Sequence, residues 1–187
     1  MGSETSSGRR LKQPSFDRKP AEAVVAADSY KRSMTYRITG IEPAPYRHLF
    51  GRSDEELAAK GVVRMTVTDT GFPCRVSLTD RAIGETVLLL NHVSHDVANP
   101  YRASHAIFVT EGAEQAAEYI DEVPPVFTTR FLSLRGFDRN GMMTDALLTD
   151  PGEADAGIRT LFSNPEIELI HAHNATRGCF AAKIERY

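Results

Sequence analysis

The sequence lacks the features that mark membrane-spanning and secreted proteins. Nowhere do about 18 apolar residues run together, which is the length that a membrane-spanning helix needs. No apolar segment near the start resembles a secretory signal, and there are only two cysteines, Cys74 and Cys179. We therefore expect a soluble cytoplasmic protein that has no membrane partner and keeps its thiols reduced.

Motifs of several common enzyme classes are also absent. The chain has no phosphate-binding loop of the form G-x-x-x-x-G-K-[ST], no G-x-G-x-x-G, no G-x-S-x-G and no H-E-x-x-H. These absences disfavour an ATPase, a dinucleotide-dependent enzyme, an α/β-hydrolase and a zinc protease. The sequence leaves the cofactor unknown.

Tryptophan is absent, and acidic residues outnumber basic ones over most of the chain. The net charge is −3, but residues 1–33 carry seven Lys/Arg against four Asp/Glu, so residues 34–187 carry −6. Nucleic-acid binding needs a basic surface that neutralises phosphates, and no basic stretch here alternates with aromatic residues. We expect no nucleic-acid partner.

The chain divides into a short polar segment and one globular domain. Residues 1–33 are rich in serine and arginine and show no hydrophobic periodicity, which predicts a disordered basic leader. Residues 34–187 are long enough to bury a core without metal or disulfide support. We expect one domain over residues 34–187.

Three segments of this domain predict helices. Ser53 followed by Glu56 forms a capping box ahead of "DEELAAKG". Alanines at helical spacing predict a second helix over residues 112–122, and Asp150-Pro151 predicts that a third begins there, with Asp150 as N-cap.

Short strands joined by tight turns account for the rest of the pattern. Asn140-Gly141 is the preferred chemistry of a tight hairpin turn, and it lies between two apolar strand segments. Such hairpins outnumber strands separated by helices. We therefore predict an α+β fold with a largely antiparallel sheet of hairpins and a few short helices.

The last predicted hairpin contains the most polar stretch, "HAHNATRGCF". A four-residue turn over residues 175–178 would pair His173 with Phe180 and His171 with Ala182, because this register gathers most apolar residues on one face. It also separates Cys179 from both histidines. A nucleophilic dyad of Cys179 with these histidines is therefore disfavoured.

Residues near several turns form a candidate pocket for a small anionic molecule. Arginine forks match carboxylates and phosphates, and a histidine transfers protons near neutral pH. The predicted catalytic residues are His171, His173 and, as nucleophile, Cys74. The predicted ligand-binding residues are Arg75, Tyr101, Arg102, Asn174 and Arg177. The sequence leaves open whether the protein is an enzyme or a binding protein, and whether these are only packed histidines and solvated surface arginines.

Two other functions remain open at this stage. Two histidines from each of two segments suit a divalent metal, and the candidate ligands are His92, His95, His171 and His173. A non-catalytic interaction module, including a homodimer, could instead use an apolar patch formed by Phe127, Phe131 and Phe137.

Several segments together carry a family resemblance. They are "YRITGIEPAPYRHLFGRSDEELAAKG", "GFPCRVSLTD", "PYRASHAIFV" and "HAHNATRGCFAAKI". With these in the same order, residues 34–187 resemble a bacterial family catalogued only as domain of unknown function twelve hundred and three. The resemblance implies a soluble cytoplasmic bacterial protein with one domain that begins near Met34. It implies no activity and no catalytic residues.

Overall fold

The computed structural model describes residues 34–187, so the leader predicted over residues 1–33 lies outside the described residues. The strands in this part of the chain are β1 (Tyr36–Thr39), β2 (Val63–Thr66), β3 (Pro73–Cys74), β4 (Thr79–Asp80), β5 (Thr86–His95), β6 (Ala103–Thr110), β7 (Glu118–Ile120), β8 (Leu132–Phe137), β9 (Met143–Thr149), β10 (Leu169–Asn174) and β11 (Phe180–Arg186). The α-helices are α1 (Asp54–Ala58), α2 (Pro125–Thr128) and α3 (Ala154–Phe162), and a 3-10 helix covers Ala44–Leu49.

The strands form two sheets rather than the single sheet expected from the hairpin pattern. The first sheet has six strands in the order β7-β1-β11-β10-β8-β9, and the second has five in the order β2-β5-β6-β3-β4. Pairing is antiparallel except between β3 and β6, which are parallel. The described residues thus make one broadly α+β domain in which sheets dominate.

Two apolar clusters make up most of the core. In the first, Ile158, Leu161 and Phe162 of α3 pack against buried residues of the first sheet. The second cluster consists mainly of residues of the second sheet and the segments that cover it. Phe180 of β11 belongs to the second cluster and so joins the two sheets.

The structure confirms two predictions that rest on short sequence motifs, a helix cap and a hairpin turn. Ser53 and Glu56 form the predicted capping box at the start of α1. The β8–β9 hairpin turns at Asn140-Gly141, where Gly141 adopts a φ of 71°, a conformation that glycine accepts without steric strain.

No helix within residues 34–187 is long and apolar enough to cross a membrane.

The helix predicted over residues 112–122 is wrong. This segment contains β7, which pairs with β1 at the edge of the first sheet. The backbone N–H of Ala117 donates to the carbonyl of Val76, and the carbonyl of Ala117 accepts from Gly40. These long-range hydrogen bonds replace the helical ones because an isolated helix of this length is only marginally stable.

The third predicted helix forms, but it begins later than Asp150-Pro151 indicates. Helix α3 starts at Ala154 with Glu153 as its N-cap residue. The N–H of Glu153 donates to the carbonyl of Asp150 at 3.0 Å, and Gly152 has a φ of 87°. A left-handed residue closes a turn here, so the helix cannot include the preceding Pro151.

The final hairpin has the predicted contact at its turn but a different register beyond it. His173 lies opposite Phe180 as predicted, whereas His171 pairs with Lys183 instead of Ala182. The register shifts because β11 contains one extra residue next to Phe180, which makes a β-bulge. Apolar alternation alone does not reveal such an insertion.

The bulge decides which residues share a face of the first sheet. Ile170 lies opposite Ile184, and both belong to the cluster that packs against α3. His171, His173 and Phe180 lie on the other face, where their rings contact one another. The prediction that the final hairpin gathers most of its apolar residues on one face is therefore wrong.

Candidate anion-binding site

A cavity of about 500 Å³ lies beside the β10–β11 turn and one face of the second sheet. We call it the Arg75 cavity. Its apolar wall consists of Met65, Pro73, Leu89, Ala106, Phe108 and Phe131. Its polar side chains come from Arg75, Thr129, Arg130, Asn174, Thr176, Arg177 and Cys179, and Gly71 completes the lining. Among the predicted ligand-binding residues, the structure brings together Arg75, Asn174 and Arg177.

Arg75 is held from both sides by backbone hydrogen bonds. Its N–H donates to the carbonyl of Phe108 in β6, and its carbonyl accepts from Ile41, both at 2.9 Å. The neighbouring residue Cys74 pairs with Phe108 as part of β3. The pairing with β6 and these two hydrogen bonds fix the position of the Arg75 backbone.

The Arg75 guanidinium is buried with incomplete pairing. The residue is only 3% exposed, yet its Nε donates to the carbonyl of Phe180 at 2.7 Å and its Nη1 to the carbonyl of Pro73. Its Nη2 has no hydrogen-bond partner within residues 34–187. Burial lowers the pKa of Arg75 to about 10, so the side chain remains a cation at neutral pH.

Two further arginines add positive charge to the same cavity. Arg130 donates from Nη1 to the carbonyl of Val126 at 2.9 Å, and its Nη2 forms an ion pair with Asp80 at 2.5 Å. Arg177 is exposed in the β10–β11 turn and has no ion pair within the described part of the chain. The cavity therefore has an excess of positive charge.

The β10–β11 turn places Asn174 and Arg177 beside each other at the cavity. The N–H of Asn174 donates to the carbonyl of Cys179 at 2.9 Å, and the N–H of Gly178 donates to the carbonyl of Asn174 at 2.8 Å. Gly178 has a φ of 71°, which favours glycine at this position. These bonds define the turn.

The two cysteines differ in burial and in position. Cys74, the predicted nucleophile, is 1% exposed in the core, and its Sγ accepts a hydrogen bond from the N–H of Thr110. Cys179 is half-buried and lines the Arg75 cavity, and neither cysteine forms a disulfide. Cys74 packs in the second core cluster and does not line the Arg75 cavity.

His171 and His173 do not line the Arg75 cavity. Each is 2% exposed, and they contact Phe180 on the face of β10 that Asn174 does not share. His173 Nδ1 donates to the carbonyl of Gly178 at 3.1 Å, which fixes one tautomer. Burial lowers the pKa of each histidine to about 3, so both are neutral at pH 7.

His171 borders a separate cavity of about 600 Å³, on the other side of the final hairpin. Lys183 and Glu185 of β11 also line this second cavity. Side chains of a strand alternate between faces, and the bulge in β11 adds to this separation. The structure thus places Arg75, Asn174 and Arg177 at one cavity and His171 at another.

The four candidate metal ligands do not converge on one point. The ring of His95 contacts that of His171 at a centroid distance of 5.0 Å, but its Nε2 donates to the carbonyl of Gly141. The Tyr46 hydroxyl and His92 Nδ1 share a hydrogen bond of 2.7 Å. Within residues 34–187, no group of three or more His, Cys, Asp or Glu side chains is placed to hold a metal ion.

Tyr101 and Arg102 lie away from the Arg75 cavity. Arg102 is exposed and forms an ion pair with Asp96 at 2.9 Å. Tyr101 packs edge-on against Phe137. Sequence reasoning instead missed Arg130, whose partner Asp80 is 50 residues distant, so no local pattern marks the pair.

The apolar patch proposed for an interaction module does not form. Phe127 is 1% exposed in the core, and Phe137 is 3% exposed beneath His95 and His171. Only Phe131 is exposed, at 50%, and it borders the Arg75 cavity.

Comparison with known proteins places the chain in a family. Residues 71–186 match the family described as protein of unknown function (DUF1203), and this range contains every residue of the Arg75 cavity except Met65. No curated protein and no solved structure matches the chain. Because the family match covers well over half of the sequence, the chain belongs to the DUF1203 family.

Proposed function

We propose that this protein binds a small organic anion, with a carboxylate or phosphate attached to an apolar group, in the Arg75 cavity. The observation that carries this proposal is the incomplete pairing of Arg75, which is 3% exposed and whose Nη2 has no hydrogen-bond partner among the described residues. A buried charge without a counterion is costly, by several kcal/mol. A bound anion would supply that counterion.

The arginines match an anionic group in both charge and geometry. Charge-assisted hydrogen bonds from a guanidinium to a carboxylate or phosphate are short and roughly twice as strong as neutral ones. Arg75 lines the cavity as a buried cation, while the guanidinium of Arg177 lies at the exposed turn and has no ion pair in the described part of the chain. Arg130 contributes less because Asp80 already neutralises it.

The apolar wall favours an aromatic or aliphatic portion in the same ligand. Phe108 and Phe131 lie among the lining residues, together with Met65 and Leu89. A volume of about 500 Å³ falls within the range of small-molecule sites. Inorganic anions would leave this wall uncovered and should bind more weakly.

Titration calorimetry tests this proposal with three matched probes. Benzoate and phenyl phosphate carry a charge on an aromatic ring, whereas benzamide keeps the ring without the charge. We expect heat of binding with at least one anion and none with benzamide. Absence of binding for both anions at millimolar concentration would refute the proposal for aromatic ligands, and hexanoate extends the test to aliphatic ones.

Three arginine variants locate the site. Arg177→Gln should weaken binding about tenfold, because it removes an exposed charge-assisted contact worth about 1.4 kcal/mol. Arg75→Lys keeps the charge but loses the guanidinium geometry, and it should weaken binding further. Arg102→Gln is the matched control, since Arg102 is an exposed arginine paired with Asp96 outside the cavity. Equal affinity in all three variants would place the anion elsewhere.

A further inference from the structure

We infer that Cys179 is the reactive thiol of the Arg75 cavity and undergoes thiol–disulfide exchange with small disulfides that carry carboxylates. This inference rests on the proposed function, because the same arginines would bind the carboxylate of the disulfide. It adds a covalent step to the site and names the chemical class of the reactant.

The two thiols of the chain differ sharply in accessibility. Cys179 is half-buried at the cavity, and its Sγ makes one weak contact, 3.9 Å to the carbonyl oxygen of Arg177. Cys74 is 1% exposed and accepts a hydrogen bond from the N–H of Thr110. An external disulfide can therefore reach Cys179, while Cys74 serves as an internal reference.

A second observation, independent of the cysteine, indicates an anion-binding group beside Cys179. Arg75 is buried to 97% and lines the same cavity, and its Nη2 forms no hydrogen bond within residues 34–187, so this nitrogen remains able to donate to an anion. Burial lowers the pKa of Arg75, and the charge of the nearby Cys179 acts in the opposite direction. The thiol and the guanidinium are thus close enough to interact electrostatically.

Positive charge around Cys179 favours exchange with anionic disulfides, because it concentrates anionic reactants at the site. Arg177, two residues from Cys179, provides a second cation without an ion pair in the described residues. A disulfide with carboxylates should therefore react faster than an uncharged one.

The exchange needs no oxidant other than the disulfide itself. Cys179 loses its thiol proton to solvent, and its sulfur attacks one sulfur of the disulfide to form a new S–S bond. The original S–S bond breaks, and the other half leaves as a thiolate. The half that remains attached occupies the Arg75 cavity, so exchange should also block reversible anion binding.

The test compares two aromatic disulfides on the native protein. Dithiobis(nitrobenzoate) carries carboxylates, and dithiodipyridine is uncharged at neutral pH. One thiol should react in the native state and the second only after denaturation, and peptide mass mapping should find the label on Cys179. Cys179→Ser should abolish the native reaction.

Charge selectivity is measured as the ratio of the two rate constants, normalised to free cysteine. We expect this ratio to be about tenfold higher for Cys179 than for free cysteine, since charged clefts accelerate association by at least that factor. Arg177→Gln should lower the ratio, Arg102→Gln should leave it unchanged, and benzoate should slow the reaction of Cys179.

The outcomes separate the two proposals. If benzoate binds by calorimetry but Cys179 stays unreactive in the native state, the inference about the thiol is overturned and the anion site stands. If Cys179 reacts with both disulfides at a ratio equal to that of free cysteine, and benzoate neither binds nor protects, both proposals are overturned.

Discussion

Acidification should destabilise this fold because His171 and His173 are held neutral in its interior. Burial is the main cause of their low pKa, about 3 in each case, and neighbouring positive charges from other histidines, Lys183 and Arg135 act in the same direction. In the unfolded chain both return to an ordinary pKa of about 6.5. Between these values the unfolded state binds more protons, so stability must fall as the pH falls.

The size of the effect follows from the difference in proton binding. Each histidine should lower the free energy of unfolding by about 2 kcal/mol between pH 7.5 and pH 5, with a slope that approaches about 1.4 kcal/mol per pH unit. The pKa values of His92 and His105 are also lowered by burial, which adds to the loss. Paired carboxylates titrate at lower pH, so this window isolates the histidines.

Urea unfolding followed by circular dichroism measures this dependence at several pH values. His171→Gln should reduce the slope between pH 7.5 and pH 5 by about one quarter to one half, even if it also lowers stability at every pH. His48→Gln is the matched control because His48 is exposed. A wild-type stability that stays constant over this window, or an unchanged slope in His171→Gln, would refute the reasoning.

Three further substitutions test the packing of the two sheets and α3. Gly157→Ala should lower the melting temperature despite the helix propensity of alanine, because its Cβ would lie 2.4 Å from Thr149 Cγ2 and 2.9 Å from Leu134 Cδ1. Phe180→Ala should cost about 3–5 kcal/mol in urea unfolding, since it removes the ring that joins the sheets; a cost below 1 kcal/mol would contradict that role. Tyr36→Phe should cost about 1 kcal/mol in the same assay, by removing the 2.6 Å hydrogen bond to Asp155, and it should leave benzoate binding unchanged.

Features stabilised by neighbouring residues could be predicted from the sequence. The capping box of Ser53 and Glu56, the hairpin at Asn140-Gly141 and the contact of His173 with Phe180 all lie within a few residues along the chain or across a tight turn. In each case the residue type itself supplies the hydrogen bond or the backbone conformation.

Part of the candidate site was also accessible to sequence reasoning. Arg75, Asn174 and Arg177 lie beside predicted turns, which predicts that they bind a ligand, and the structure places all three at one cavity. Arg102 fitted the same criterion equally well, yet it pairs with Asp96 elsewhere. Proximity to a turn indicates that a side chain can reach a site, but not which site.

The sequence by itself determined the α+β class, the hairpins and the helix cap, because these depend on local periodicity and short-range hydrogen bonds. Only the tertiary structure decided the division into two sheets, the bulge in β11 that shifts the register of the final hairpin, and the burial of Cys74 rather than Cys179. These features depend on contacts between residues far apart in the chain. Such contacts turn a segment with helical periodicity into the edge strand β7 and bury the cation of Arg75, and no neighbouring residue in the sequence indicates either outcome.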